Sequence, residues 1–224
     1  MDQFSLVIGD KNLSSWSMRA WLAAKASELP FKEILVPLDQ PETKSELQKF
    51  SPSSKVPCLI HGDLRIWDSL AICEYIAELA PQKFLWPENK QTRAIARSYV
   101  SEMHSGFSGL RSQLSMDIRL RIEIRHLTHD TIDDSQRILF LWSEALAKSK
   151  GPFLFGEFGI ADAFFAPVVF RFISYGVQIP SDRKFHQGIS PGRLGSNRLF
   201  NLGLHVNQVR GRSYARVYLC SQPS

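Results

Sequence analysis

The sequence predicts an α/β half followed by an all-helical half, and three observations predict it. Residues 4–36 read strand, helix, strand; residues 57–66 read as a tight hairpin; and beyond a proline-bracketed stretch the apolar period becomes uniformly helical. The 224-residue length fits one large or two small domains. A chain of this size buries roughly 70–75% of its extended surface on folding, enough for a sizeable core.

The elements follow in order. Residues 4–8 (FSLVI) form a short apolar run, the mark of a buried strand. After the polar turn GDKNLSS, residues 16–28 read as a helix with Met18, Trp21, Leu22 and Lys25 on one side, Ser14 or Ser15 as its N-cap and Pro30 as its stop. Residues 33–36 (EILV) supply a second strand, and a strand–helix–strand unit of this length implies a parallel pair with a right-handed crossover. PETKSELQKF holds a short helix beginning near Thr43. A hairpin follows with arms 57–61 and 64–66 joined at Gly62-Asp63; Pro57 opens the first arm, where a proline least disturbs the ladder. Residues 69–80 read as a helix with Leu70, Cys73, Ile76 and Ala77 inward.

PQKFLWPENK, bracketed by Pro81 and Pro87, is a linker. Residues 92–115 then carry one helical stripe, Ile95, Tyr99, Met103, Phe107, Leu110 and Leu114. Residues 131–148 carry another, Ile138, Leu139, Trp142, Ala145 and Leu146, stopped by Gly151-Pro152. Residues 160–174 are apolar almost all round, as befits a central buried helix.

Composition narrows the function classes. The chain is 44% hydrophobic and 22% charged, which argues against global disorder. It has no apolar run long enough for a membrane span, and the opening MDQFSLVIGDKN does not read as a secretory leader. Three scattered cysteines, Cys58, Cys73 and Cys220, have no metal-ligand spacing and suit reduced thiols in the cytoplasm. The net charge of +5 is misleading as a nucleic-acid signal. Seven of the 27 basic residues and none of the 22 acidic ones lie in 183–224, leaving 20 basic against 22 acidic in the rest. A basic arm for nucleic acid or anionic lipid is one reading of that tail; a poorly folded end is the preferred one. The expectation is therefore no nucleic acid, no membrane and no metal.

The first half builds a site where elements begin. Ser14, Ser15 and Ser17 crowd the start of the first helix, the KVP proline precedes an antiparallel strand, and Asp68-Ser69 opens another helix. Helix N-termini present unpaired N–H groups and a positive dipole, which suit carboxylates and thiolates. Taken together, SSWSMRAWLAAK, SPSSKVPCLI, WDSLAICEYIAE, LWP and FGIADAFFAPV resemble the cytosolic glutathione S-transferase family, in the right order across residues 1–182. The turn is most similar to serine-type members, especially the zeta class, whose turn reads SSCS followed by an arginine.

That resemblance implies a thioredoxin-like glutathione-binding domain over 1–81, a linker over 82–90, a helical domain over 91–182, an atypical basic tail over 183–224, and a cytoplasmic homodimer active in detoxification. It implies glutathione as co-substrate, no other cofactor, and a hydrophobic small-molecule electrophile as the second substrate. Ser14 matches the serine that hydrogen-bonds the glutathione sulfur, with Ser15 and Ser17 as alternatives, and Arg19 matches the arginine of the turn. Pro57 should be cis. The Val56 backbone would pair with the cysteinyl part of glutathione, Asp68 with its ammonium and Ser69 with its γ-glutamyl carboxylate; Ser54 and Lys55 stand where the glycyl carboxylate is held. A glutathione-dependent isomerase of the maleylacetoacetate type and a non-catalytic glutathione-binding protein are the alternatives.

Three departures stand out. Trp16 replaces the cysteine of the zeta turn. Gly159 replaces the Ser or Thr that normally caps the buried helix three residues before Asp162, a change costing a few tenths of a kcal/mol. The tail, without acids or a helical period, reads as an out-of-frame continuation. Elsewhere the plain readings prevail: Cys58 and Cys73 as small core residues, Trp142 and Phe164-Phe165 as core, His126 and His129 as loop residues. His104 reads as structural or solvated, with contact to an electrophile in the cleft as the sharper alternative.

Overall fold

The structure is a computed structural model that describes residues 3–149 and 152–177. The basic tail, the out-of-frame expectation attached to it and Cys220 lie outside the described residues.

Four strands form one mixed sheet in the order β2-β1-β3-β4, with β1 Phe4–Ile8, β2 Phe31–Leu35, β3 Cys58–His61 and β4 Leu64–Trp67. β1 runs parallel to β2 in the register Phe4↔Phe31 to Ile8↔Leu35, and antiparallel to β3. The second strand thus starts two residues earlier than its apolar run suggested, directly after Pro30, where Phe31 stacks on Phe4 at 5.5 Å. β1 sorts its side chains by strand alternation. Phe4, Leu6 and Ile8 enter the main core, and Val7 enters a smaller cluster with Val36, Leu47 and Cys58.

The crossover between β1 and β2 is α1, Ser15–Ser27. Ser14 caps it, and Glu28 ends it in the left-handed region at φ 58°. The sequence assigned α1 one inward stripe; nearly the whole helix is buried. It packs against β1 and α3 (Ser69–Leu79) within the first domain and against α7 (Ile160–Ser174) of the second. Ala20, Ala23 and Ala24 keep those approaches close. α2, Thr43–Gln48, contributes Leu47 to the smaller cluster. On α3, Ile72 joins Cys73 and Ile76 in the core, while Leu70 and Ala77 are only partly buried.

A 3-10 turn at Pro81–Lys83 leads toward the helical domain. The single helix expected over 92–115 is two, α4 Lys90–Ser105 and α5 Ser108–Gln113. Gly106 leaves the helical region and Phe107 adopts φ 61°, so the chain turns while Phe107, Leu110 and Leu114 stay buried. The buried stripe of α4 is Ala96, Tyr99, Val100 and Met103, one residue round from Ile95, which is exposed. Residues 116–127 follow without helix or strand, and α6 spans His129–Lys148. Asn12 clamps the stretch to the first domain: its Nδ2 donates to Asp117 Oδ1 at 2.7 Å and its Oδ1 accepts from Arg119 N at 3.0 Å. Among the described residues no helix is long and apolar enough to cross a membrane.

α7 keeps the bounds read from its sequence and is buried almost all round. Its N-terminus explains the missing Ser or Thr. A Cβ on Gly159 would stand 2.7 Å from the Leu85 carbonyl oxygen, which accepts the Ile160 N–H at 2.9 Å. The linker backbone occupies the space of a cap side chain. Asp162 supplies the other half of the cap, accepting from Gly159 N and Leu154 N, each at 3.0 Å.

Candidate active site

The opening turn of α1 separates its three serines. Ser17 is fully buried, and its Oγ accepts the Gly9 N–H at 3.0 Å and the Ser14 hydroxyl at 2.8 Å. That makes Ser17 a clip between β1 and α1. Ser14 sits in the extended region, its own Oγ accepting the Ser17 N–H at 3.3 Å. Ser15, one residue into the helix, accepts from Arg171 Nη2 at 3.3 Å. The N–H groups of Ser15 and Trp16 belong to the first turn, where no intrahelical acceptor exists. Ser14 and Ser15 therefore flank a spot where a hydroxyl, two N–H groups and a helix dipole favour an anion.

The peptide bond Val56–Pro57 is cis, as the resemblance implied. Pro57 is buried, and Val56 lies two residues ahead of the ladder, which begins where Cys58 pairs with Val7 and Trp67. Ser54 sits in the turn before it at φ 54°, its N–H donating to Ser51 O at 3.0 Å; Lys55 is exposed.

Asp68 caps α3 from φ 78°, a region that costs a non-glycine residue roughly 1–3 kcal/mol. One carboxylate oxygen accepts the Leu70 N–H at 2.7 Å, and the other lies 3.2 Å from His104 Nε2. Ser69 is buried, and its hydroxyl has no hydrogen-bond partner. The start of α3 thus offers a buried hydroxyl without a partner beside an acidic cap.

His104 joins the two places. It takes the structural side of the plainer reading: its Nε2 meets Asp68 at 3.2 Å, and its ring stands edge-on to Trp16 at 5.3 Å. Trp16 in turn lies against two guanidinium groups, Arg19 at 4.4 Å and Arg111 at 5.1 Å. Arg19 is fully buried between the rings of Trp16 and Phe164, the latter at 4.8 Å. Burial pushes its pKa down to about 9, and the positive charges of Arg111 and Arg171 push the same way. Burial and Arg111 likewise lower Arg171, to about 10.

Arg111 and Arg171 were missed in the sequence. A signal for Arg171 was present, since it is the lone cation in the mostly apolar α7; Arg111 lies between Leu110 and Leu114 and gave none. The cysteines keep their plain reading: both are buried, and burial pushes both thiols up, away from the thiolate. His129 pairs with Asp133 one turn along α6 at 2.9 Å.

Comparison with known proteins identifies the family. The model of the glutathione S-transferase N-terminal domain matches residues 13–79, and that of the C-terminal domain matches residues 131–189. Glutathione S-transferase 1 of Dianthus caryophyllus is 30% identical over 175 residues, covering 73% of this chain and 75% of that one. A probable maleylacetoacetate isomerase of Caenorhabditis elegans is 36% identical over 96 residues, 43% of this chain and 44% of that one. Among solved structures, a glutathione transferase homologue from Burkholderia with bound glutathione superposes with a TM-score of 0.60 at 24% identity, over 80% of this chain and 86% of that one. With both domain models matched in order and such a relative covering most of its length, the chain belongs to the glutathione S-transferase family.

Proposed function

We propose that this protein binds glutathione along the open end of its sheet and transfers the glutathione thiolate to the electrophilic carbon of a hydrophobic second substrate. The observation that carries the reading is the pair of helix N-termini joined through His104: α1 with Ser14 and Ser15, and α3 with Asp68 and the unpartnered Ser69 hydroxyl. Asp68 takes the γ-glutamyl ammonium, and Ser69 takes the adjacent carboxylate. The Val56 backbone extends its strand to the cysteinyl unit, and Ser54 and Lys55 face the glycyl end. The sulfur then lies at the first turn of α1.

The chemistry follows from charge. A free thiol has a pKa near 8.5, so only a few per cent is ionised at pH 7. Lowering that value by two units takes about 2.7 kcal/mol. A Ser14 hydroxyl turned from Ser17 Oγ to the sulfur, the N–H groups of the first turn and the nearby guanidinium charges supply that order of energy. Turning Ser14 orphans nothing, because Ser17 Oγ still holds the Gly9 N–H. The thiol proton leaves to solvent, the sulfur–carbon bond forms, and the leaving group departs with its electron pair.

The reading includes a homodimer in the reducing cytoplasm, supported by the family and by two free buried thiols. An isomerase of the maleylacetoacetate type is the second reading, favoured by the 36% identity over 96 residues. Trp16 in place of the zeta-class cysteine weighs against it. Calorimetric titration with glutathione, followed by turnover of a chloronitrobenzene at pH 7, tests the proposal. Glutathione binding and a kcat/KM about ten- to hundredfold lower in Ser14→Ala are expected. Absence of glutathione binding refutes it; equal rates in the two proteins remove Ser14 from the mechanism.

A further inference from the structure

The turn that carries Ser14 is held from more than one side. Asp10 closes it on itself: its Oδ1 accepts the N–H groups of Asn12 and Leu13 at 2.7 and 3.0 Å, and its carbonyl accepts that of Ser14 at 2.8 Å. Lys11 ties it to the sheet, its buried ammonium 2.5 Å from Glu33 on β2. Asn12 ties it to the helical domain. Besides the side-chain bonds to Asp117 and Arg119, its carbonyl accepts the Ile118 N–H at 3.3 Å.

Asp117 is the hub of that last tie. The Oδ1 that accepts from Asn12 also accepts the N–H groups of Arg119 and Leu120, each at 3.1 Å, and the Asp117 carbonyl accepts the Ser174 hydroxyl at 2.5 Å. Met116 and Ile118 on either side of it are buried. Two more bonds, from Ile122 N to Ser174 O at 2.9 Å and from Ile124 N to Tyr175 O at 3.0 Å, fasten the stretch to the end of α7. A loop without helix or strand is thus fixed along its length, and through Asn12 it fixes the backbone two residues before Ser14. A hydroxyl stabilises a thiolate only from within hydrogen-bond reach, and such a site works when its groups stand within about 0.5 Å of their places.

Resting on the transferase reading, we propose that Asn12 and Asp117 are positioning residues for Ser14: the bond between them holds the serine hydroxyl within reach of the glutathione sulfur, so that ionisation of the thiol depends on a loop of the helical domain. The residues given to the two ends of glutathione lie elsewhere, Asp68 and Ser69 at the start of α3, and Ser54 and Lys55 ahead of β3. Breaking the tie leaves Asp10 and Lys11 to hold the turn. The tripeptide stays bound, and its sulfur keeps more of its proton.

The ultraviolet absorbance of the bound thiolate, titrated against pH, tests this in the wild type, Asn12→Ala, Asp117→Ala and Asp117→Asn. Both alanine variants should ionise the sulfur about one pH unit higher than the wild type, roughly a tenfold change in its ionisation constant. Their glutathione affinity in calorimetry at about pH 5.5, where the sulfur carries its proton in each protein, should stay within about twofold. Asp117→Asn keeps an Oδ1 for Asn12, Arg119 and Leu120 and should ionise the sulfur as the wild type does. Gly159→Ser, which disturbs the opposite end of α7, should leave the ionisation unchanged as well. Unchanged ionisation in the alanine variants overturns the proposal and leaves the transferase reading standing. An equal rise in Asp117→Asn or Gly159→Ser traces the effect to general loosening and also overturns it, as does a loss of affinity at the acid pH. A wild type that does not bind glutathione, or binds it with the sulfur ionising at its free value, defeats both. Should the alanine variants fail to fold, amide exchange in the wild type replaces them. By reciprocity, glutathione must then protect the Ile118 and Arg119 N–H groups more than S-methylglutathione does at the same pH and saturation, and equal protection overturns the proposal.

Discussion

α1 and α7 begin alike and end up opposite in character. Both start in the interior, both are buried on nearly every side, and they pack against each other. At the start of α7 the Asp162 carboxylate and the Ile160 N–H both have partners. Asp162 takes the N–H groups of Leu154 and Gly159, and Leu85 O takes that of Ile160. At α1 the cap serine answers its own helix, but guanidinium groups gather around the turn with no salt bridge to any of them among the described residues. The contrast shows that a helix N-terminus alone is an anchor. It becomes a candidate site when its surroundings leave donors and cations unanswered.

The largest effect expected of this contrast is on stability, at the closed end. Asp162→Ala leaves two buried N–H groups without acceptors, and each such loss costs about 1–3 kcal/mol, so urea unfolding should show a deficit of about 2–5 kcal/mol. Glutathione affinity of the folded variant should be unchanged. Burial also pushes the Asp162 carboxyl up from 3.8 to about 7, its three backbone hydrogen bonds opposing. The folded state then holds a proton that the unfolded state has released between those values. This contribution to stability is present below pH 4, declines as the pH rises towards 7 and is flat above. Asp162→Asn should remove that slope from the pH profile of the unfolding free energy. A profile equally steep in both proteins would falsify the assignment.

At the open end the balance reverses. Ser14→Ala should cost about 0.5–2 kcal/mol of stability as an ordinary cap loss. It should cost more in catalysis, about ten- to hundredfold in kcat/KM at pH 7. The ultraviolet absorbance of the thiolate should show the bound sulfur ionising one to two pH units higher than in the wild type. An unchanged ionisation would place the sulfur elsewhere, with Ser15→Ala the next variant to measure.

Gly159→Ser sharpens the comparison from the other side. By capping preference alone a serine should strengthen the start of α7 by a few tenths of a kcal/mol. The space there is taken by the Leu85 carbonyl, 2.7 Å from where a Cβ would stand, and this is backbone rather than a flexible side chain. The steric term should win, with a loss of about 1–3 kcal/mol and a midpoint several degrees lower in thermal unfolding. A stabilised variant would mean that the linker yields.

What the sequence disclosed and what it hid divide along physical lines. Local patterns were legible: the period of α7, the Gly62-Asp63 turn, the serines at α1 and the Asp68-Ser69 cap each depend on residues within one or two turns of each other. The break at Gly106-Phe107 was hidden because the apolar stripe resumes beyond it in phase, so period alone joined α4 to α5. The burial of α1 was underestimated because its outer side is covered by α7, more than 130 residues later. The arginine cluster was hidden for the same reason. Arg19, Arg111 and Arg171 come from three distant segments, and no spacing rule connects them. Asn12 and Asp117, which fasten the loop after α5 to the turn before α1, are equally far apart in sequence.

The smallest effect belongs to the residue that links the open end to the second helix N-terminus. His104 approaches Asp68 at 3.2 Å, but the carboxylate is half exposed, and such pairs contribute about 1 kcal/mol at most. The carboxylate also keeps its bond from Leu70 N when His104 is replaced, so the α3 cap survives. His104→Ala should therefore weaken glutathione two- to fivefold in calorimetry while leaving kcat within about twofold, because the histidine steadies Asp68 and touches neither the sulfur nor the electrophile. The conservative His104→Gln retains a donor in reach of Asp68 and should recover most of the affinity. A large fall in kcat with unchanged affinity would move His104 from positioning Asp68 to the reaction itself, and would shift the centre of the site from the first domain toward α4.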